Sequence, residues 1–507
     1  MKKALLIITI GIAAGAALIV SFKQSPTRAA VVHGTAEQFS FNITFDSTVP
    51  NTLSQYADSA ALCSFAWNEF FALNWKSSYK KNTHVYRGYA DPQWTYNDQS
   101  AYPMNDPVVW ETYAHRVELR PNHGNTLPFD KVPRYDYQIH IPRKDNSVDT
   151  TLFNNLDENN EIGSCDLYAK VNLYNTQYQV LYQAKVNRDE YDYKRKNYPD
   201  EATLIAAVNR TAGNIKKDSV YYNPKDYPVG KYTGGNCNCP PGIFCLPCGN
   251  AKDPDTRFGK YTGALEVKSA WREMINDAEA NTHFTRKVIV YEKDPKTGKT
   301  VSVNKIYGLV GIHIIHKLAN YPDFTFATFE HVDVQNDSMG YIELPQKGNP
   351  KPQRYDRFHP ISVVADASTK YVQDQLRKKN PNSIWLNYRL VGVQGMPTND
   401  STSFSFYLAN YVIESDRTLG DFRGSGFKHP HDGGHNIFLN GKHYSMGGCQ
   451  GCHGVAQGIG ADFSFLMDAT SNQPDKVPDI DRTDNKLKVY IDAFEKLEKA
   501  EKKKGLR

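Results

Sequence analysis

Two cysteines and a histidine lie within five residues near the C-terminal end of the sequence. They are Cys449, Cys452 and His453, in the order Cys-Gln-Gly-Cys-His. This spacing is the attachment signature of c-type haem, in which each thiol bonds to one vinyl group and the histidine binds the iron. A disulfide or half of a zinc site is the alternative interpretation. We predict one covalent haem c, with His453 as the proximal iron ligand.

The ligand on the opposite side of the iron is less clearly marked. Met467 follows the motif and would give a six-coordinate, electron-carrying iron through its thioether. Its apolar neighbours favour the alternative that it packs in the core. Four histidines that precede the motif offer an axial ligand, a second metal site, or simply solvated loop residues. They are His429, His431, His435 and His443.

Three more histidines lie in apolar, strand-like segments. His313 and His316 belong to the first segment and His331 to the second. Since successive residues of a strand face opposite sides, His313 and His316 are predicted to point to opposite faces. At most one of them therefore reaches a given pocket. An acid–base role beside the iron is one interpretation, and hydrogen bonding within the core is the other.

The N-terminus has the features of an export signal. Lys2 and Lys3 precede an apolar run from Ala4 to Val20, and small residues follow around Ala30. Residues 1–30 are therefore predicted to be a signal peptide, or an uncleaved N-terminal anchor that is the chain's one contact with a membrane. Either form places the protein in the periplasm or elsewhere outside the cytoplasm, where haem is joined to such motifs.

Four other cysteines lie in a segment rich in glycine and proline. In an exported protein this arrangement favours two disulfide bonds that close a surface loop. A zinc or iron–sulfur site is the alternative, although the first pair is spaced C-x-C rather than C-x-x-C. Cys63 and Cys165 would be available for a third disulfide. The four cysteines of the loop are Cys237, Cys239, Cys245 and Cys248.

The composition limits the classes of function. The 507 residues are enough for one large core or two to three domains. After the N-terminus, no apolar run approaches the length of a membrane-spanning helix. The net charge is +5, from 60 basic and 55 acidic residues, and no basic stripe appears. Nucleic acid is therefore not expected as a partner.

Residue patterns ahead of the motif predict both helices and strands. Helical spacing of apolar residues predicts helices over 62–74 and 265–278. Strands are predicted over 177–184 and 308–316, and a hairpin turn over 294–298. Strict alternation of strand and helix is absent, which disfavours a doubly wound parallel sheet. We predict an α+β fold, a mixed body with a large antiparallel sheet and peripheral helices.

Composition divides the chain after the signal into three regions. Residues 31–423 form the large α+β body, which includes the cysteine-rich loop at 237–248. Residues 424–475 are dense in glycine, as a chain needs where backbone packs closely on a flat cofactor, and form the haem-binding segment. The spacing of apolar residues in 476–507 predicts an amphipathic helix with a basic tail. Because so little chain follows His453, we expect the haem to lie against the large body.

Six segments between residues 60 and 470 are similar to segments of one bacterial family. They are Phe65–Trp75, Val109–Thr112, Leu265–Trp271, Val310–Lys317, Ala327–Val332 and Cys449–Leu466. That family consists of large exported proteins with one C-terminal c-type haem motif, usually labelled cytochrome c family proteins. The resemblance implies covalent haem and export, and it implies no settled substrate or reaction. The 237–248 loop and the lysine-rich tail do not match the family.

Two classes of function fit these features best. The first is electron transfer between the iron and a redox partner protein. The second is a haem-dependent oxidoreductase of the peroxidase or oxygenase type, favoured by the size of the body, since large scaffolds usually shape a pocket. A haem-based sensor is a third interpretation. We predict electron transfer and keep the enzyme as the alternative.

Overall fold

Antiparallel strands organise the fold of this computed structural model. The strands, in chain order, are β1 (Ala114–His115), β2 (Cys165–Val171), β3 (Thr176–Val186), β4 (Asn250–Asp255), β5 (Gly259–Tyr261), β6 (Leu265–Glu273), β7 (Thr285–Lys293), β8 (Thr300–Leu318), β9 (Tyr321–His331), β10 (Tyr341–Pro345), β11 (Tyr388–Gln394), β12 (Asn436–Leu439) and β13 (Lys442–Ser445). Nine of them form one sheet in the order β10-β2-β3-β6-β8-β9-β11, with β1 paired to β3 and β7 to β8. Two further hairpins are β4–β5 and β12–β13.

The structure describes most of the chain after the N-terminal region, and the described residues belong to one compact unit. Within the part described, no helix has both the length and the apolar character needed to cross a membrane. The described residues are 39–79, 86–97, 106–119, 126–135, 141–158, 165–171, 176–218, 244–255, 259–274, 277–318, 321–334, 341–345, 360–408, 410, 412–413, 436–439, 442–467, 499 and 503.

Two helices that pack on the sheet begin at polar capping residues. Asp58 accepts a hydrogen bond from the Ala61 amide at 2.8 Å, and Ser362 accepts one from Ala365 at 3.3 Å. These caps satisfy amide groups that have no partner inside the helix. The helices are α1 (Ser59–Leu73), α2 (Arg116–Leu119), α3 (Arg188–Asn197), α4 (Glu201–Asp218), α5 (Asp277–Ala280), α6 (Val363–Lys379) and α7 (Gly448–Gly458).

One face of the sheet is covered by α1 and α6. The rings of Trp67 and Phe70 in α1 lie 4.9 and 4.4 Å from the ring of Phe329 in β9. Trp67 also donates to the hydroxyl of Ser368 in α6 at 3.1 Å, so that the buried indole N–H is satisfied. This aromatic cluster holds the two helices on the centre of the sheet, where burial of such side chains contributes most to stability.

The predicted fold class is confirmed, and one predicted element is wrong. The helix predicted over 62–74, the strand over 177–184 and the hairpin turn at 294–298 are all present. Residues 265–278 were predicted as a helix, but Leu265–Glu273 is strand β6. It pairs with β3 and β8 in the middle of the sheet and is buried on both faces. Burial on both faces removes the alternation that marks a strand in the sequence.

Several predictions concern residues outside the described ranges. They are the signal segment at 1–30 and nearly all of the C-terminal helix and tail at 476–507, together with His429, His431, His435, Cys237 and Cys239.

Candidate functional site

The Cys-x-x-Cys-His motif lies on helix α7. Cys449, Cys452 and His453 are separated by three and four positions along the helix, so they share one face. Neither cysteine is in a disulfide. The alternative interpretation of the motif as a disulfide is therefore wrong. Two thiols and an imidazole on one helical face are a donor set that fits c-type haem.

The first turn of α7 is attached to the sheet. The Gln450 side chain donates to the carboxylate of Asp323 at 2.9 Å and to the carbonyl of Gly395 at 2.7 Å. The Gln450 amide donates to the side chain of Gln394 at 2.7 Å. Gly448 has φ +75°, and a Cβ atom there would lie 2.6 Å from the Leu408 nitrogen. The motif thus lies on the sheet body rather than in a separate small unit.

The His453 ring has its two nitrogens in different environments. Nδ1 lies 2.5 Å from the carbonyl oxygen of Phe463, so it carries the proton and donates it. The lone pair is then on Nε2, the arrangement by which metal-binding histidines are usually oriented. Burial lowers the pKa of His453 to about 3, which keeps the ring neutral. A neutral imidazole with a fixed Nδ1–H is ready to bind a metal through Nε2.

The turn that carries the Phe463 carbonyl has an unusual backbone. Asp462 and Phe463 have φ values of 53° and 65°, a left-handed conformation that costs roughly 1–3 kcal/mol at each non-glycine residue. Asp462 is fully buried and pairs with Lys317 of β8. It also accepts a hydrogen bond from the Leu246 amide at 2.6 Å. These contacts hold the turn in the conformation that presents the carbonyl to His453.

The face of α7 that carries Cys452 and His453 is apolar and only partly covered. Val455 is 37% exposed, and Cys452 and Ile459 on the same side are partly exposed. The His453 ring lies between Phe326 at 5.0 Å and Phe465 at 4.9 Å, and still keeps some solvent exposure. The His453 ring is thus surrounded by aromatic side chains and keeps partial exposure, and apolar surroundings of this kind fit a flat apolar cofactor.

The sheet residues that face α7 follow from the strand register. Phe326 of β9 pairs with Ile315 of β8 and with Gln394 of β11. Two residues further along the strands, His313 of β8 pairs with Thr328 of β9 and with Lys268 of β6. Because side chains alternate between faces, both rows lie on the side of the sheet that carries α7. We call this side the motif face.

A pair of buried carboxyl groups lies behind the Phe463 turn. Glu190 of α3 is fully buried and Glu266 of β6 nearly so. Burial raises the pKa of Glu266 to about 7 and that of Glu190 well above its usual range. The two carboxyl groups are close enough for each to affect the pKa of the other, and Ser464 lies beside Glu266. Two adjacent buried carboxyl groups do not both ionise readily, because each would place a second charge in the same apolar surroundings.

Of the predicted ligands on the opposite side, the structure describes Met467 and His443. Met467 has no solvent exposure and belongs to the main hydrophobic cluster. His443 is exposed on β13, where its ring stacks on Phe438 at 4.7 Å. The structure therefore places Met467 in the interior and His443 at the surface.

The prediction that His313 and His316 face opposite sides is confirmed. His316 pairs with Glu69 of α1, and His313 lies on the motif face. His331 stacks on His283 with ring centroids 3.7 Å apart and an angle of 12° between the planes.

His283 and His331, with Asp333, are residue types that bind metals, and sequence analysis did not single out His283 or Asp333. The two rings are nearly parallel, however, so their in-plane lone pairs do not converge on one point. His331 also donates to the Thr282 carbonyl at 2.8 Å and accepts from the Asp333 amide at 3.2 Å. Hydrogen bonding in the core accounts for this cluster.

The described half of the cysteine-rich loop is oxidised. Cys245 and Cys248 are each disulfide-bonded, which removes their thiolates as zinc or iron–sulfur ligands. The suggested Cys63–Cys165 disulfide is wrong, because Cys63 is not disulfide-bonded. Cys63 is buried in α1 beside Ser368, and burial raises the pKa of its thiol to about 12. A cysteine in that position packs as a small apolar side chain.

Comparison of the chain with protein-family models, with curated proteins and with solved structures finds no match. The assignment of a function therefore depends on the site itself.

Proposed function

We propose that this chain is an exported mono-haem c-type cytochrome that carries electrons between redox partner proteins. Cys449 and Cys452 would hold the haem through thioether bonds, and His453 would bind the iron through Nε2. The observation that supports this most is the hydrogen bond from His453 Nδ1 to the Phe463 carbonyl. It gives the motif histidine the tautomer and orientation of a metal ligand.

The bound haem would supply one-electron iron(II)/iron(III) chemistry. The protein's own residues would set its conditions. The Phe463 carbonyl keeps the His453 ring in place and increases its basicity, and Phe326 and Phe465 limit the access of water to the ring. Low polarity around a metal and hydrogen bonds to its ligand are the main means by which a protein sets a reduction potential.

The disulfide-bonded state of Cys245 and Cys248 supports an extracytoplasmic location, since disulfides persist in oxidising compartments. The same compartment is where haem would be attached to Cys449 and Cys452. Cys245 and Cys248 are buried rather than part of the predicted surface loop, and their disulfide bonds and the covalent haem would form in the same compartment.

The test is expression of the full chain with a c-type haem maturation system, followed by mass spectrometry of the unfolded protein. We expect one haem mass that survives acid and organic solvent. The double variant Cys449→Ser/Cys452→Ser should carry none, whereas Cys63→Ser, a matched control in α1, should keep it. A chain that gains no porphyrin mass would overturn the proposal.

Transfer of electrons is tested separately from attachment. Reversible one-electron reduction with a stable optical spectrum, and slow reaction of the iron with peroxide and cyanide, are expected for a carrier. Rapid turnover with peroxide would instead favour a haem-dependent oxidoreductase.

A further inference from the structure

We propose that His313 of β8 is the second axial ligand, on the opposite side of the iron from His453. This inference rests on the proposed function, because it assumes that haem is bound at the motif. It takes a residue of the sheet in place of Met467, which the sequence offered only as one candidate ligand.

The strand register places His313 next to the residue that His453 contacts. His453 packs on the ring of Phe326. Phe326 pairs with Ile315, and His313, two residues before Ile315, pairs with Thr328. His313 and Phe326 are therefore diagonal neighbours on the motif face, with Cα atoms roughly 7–8 Å apart. At that separation, the two aromatic side chains can both reach one point above the motif face.

Burial gives the same placement. His313 is only 3% exposed, and it lies on the motif face beside Lys268, its cross-strand partner in β6.

The other histidines that the structure describes have different surroundings. His316 pairs with Glu69 on the opposite face of the sheet. The His115 ring forms a hydrogen bond of 3.2 Å with the Asn155 carbonyl oxygen. His331 is stacked on His283, and His443 is exposed. Within the described residues, His313 is the histidine that combines burial, the motif face and closeness to His453.

Met467 belongs to the same side of His453 as the Phe463 turn. The Phe463 carbonyl accepts a hydrogen bond from His453 Nδ1, whereas the iron would bind His453 Nε2. Residues Phe465–Met467 form one turn of 3₁₀-helix, which advances the chain by about 2 Å per residue. This segment is short, begins at Phe463 and packs on the His453 ring through Phe465. It is therefore too short to carry Met467 around a porphyrin to the side opposite His453.

Two nitrogen ligands would give a low-spin iron with a lower potential than histidine and methionine together, because a thioether ligand raises the potential. Electron paramagnetic resonance and optical spectra of the ferric holoprotein test this directly. We expect a low-spin signal without the far-red band of sulfur–iron ligation. His313→Ala should convert most of the signal to high spin, and added imidazole should restore the low-spin form. Met467→Leu and His443→Ala are the controls and should leave the spectrum unchanged.

A second variant covers the case in which His313→Ala fails to fold. His313→Met keeps a ligand at the position and should give a low-spin iron with the far-red band and a higher potential. A low-spin spectrum that persists in His313→Ala, or one that is lost in Met467→Leu, would overturn the inference. A wild-type chain that binds no haem would instead overturn the proposed function, and the mass spectrum distinguishes the two failures.

Discussion

Lys317 and Asp462 form an ion pair without solvent exposure directly before the turn that holds His453. Lys317 comes from β8 and Asp462 from the segment after α7, so the pair connects the sheet to the motif. Burial lowers the pKa of Lys317, and the Asp462 carboxylate opposes that change. The left-handed backbone at Asp462 and Phe463 depends on this contact, because an isolated turn of that kind would relax.

Replacing Asp462 by Ala should therefore destabilise the protein strongly. The variant leaves the Lys317 ammonium and the Leu246 amide without their acceptor, and loss of one partner of a buried pair costs about 3–5 kcal/mol. Urea unfolding measures the change. Asp366→Ala removes an exposed pair with Lys370 on α6 and is the control, with an expected loss of about 0.5 kcal/mol or less. Equal losses in the two variants would show that the buried pair does not hold the turn.

The two glycines at the ends of α7 should respond differently to alanine. At Gly448 the new Cβ would lie 2.6 and 2.7 Å from the backbone of Leu408, and φ is +75°. The backbone conformation alone costs about 1–2 kcal/mol, and the clash adds to it. At Gly458 nothing lies within 4 Å, so alanine should be neutral or stabilise the helix by up to about 1 kcal/mol. Melting temperatures that fall equally in both variants would contradict this assignment.

The pKa of Glu266 predicts how stability changes with pH. Burial raises it from 4.5 to about 7, so between these values the folded protein holds a proton that the unfolded chain has lost. The contribution of Glu266 to the stability of the wild type therefore decreases as pH rises through this interval. Glu266→Gln cannot ionise and keeps a hydrogen-bonding side chain.

We expect Glu266→Gln to gain stability relative to the wild type between pH 5 and 7, with a total gain of the order of 3 kcal/mol. Urea unfolding at several pH values measures the difference. Glu273→Gln, in the same strand but partly exposed beside Lys305, is the matched control and should show a much smaller change. A difference between Glu266→Gln and the wild type that is constant with pH would contradict the raised pKa of Glu266.

Local patterns predicted most of the elements correctly, and failed at a strand that is buried on both faces. The helix from Ser59 to Leu73 is buried over most of its surface, but helical spacing of its apolar residues and a capping Asp58 are visible in the sequence. Strand β6 is buried on both faces, and Trp271 and Met274 gave it the appearance of a helix. For a strand buried on both faces, only its pairing partners distinguish it from a buried helix, and those partners are distant in the chain.

In the candidate site, too, some residues could be predicted from the sequence and others could not. Cys449, Cys452 and His453 are recognisable because the chemistry fixes their spacing. The Phe463 carbonyl is a backbone group, and no residue type marks it. Glu266 lies near the site because of the pairing of β6 with β8, and Lys317 because of its contact with Asp462. Neither long-range contact can be predicted from local sequence patterns. Distant residues that converge in this way required the structure.

Alkylation of the cysteines would test the disulfides and the haem together. In the unfolded, unreduced holoprotein we expect Cys63 to be alkylated, since it is not disulfide-bonded. Cys245 and Cys248 should react only after reduction. Cys449 and Cys452 should stay unmodified in both conditions, because thiol reductants break disulfides but not thioethers. Peptide mass spectrometry measures alkylation at each cysteine. The control is the chain made without haem maturation, in which Cys449 and Cys452 should react. Alkylation of either motif cysteine in the matured protein would show that it is not bonded to haem.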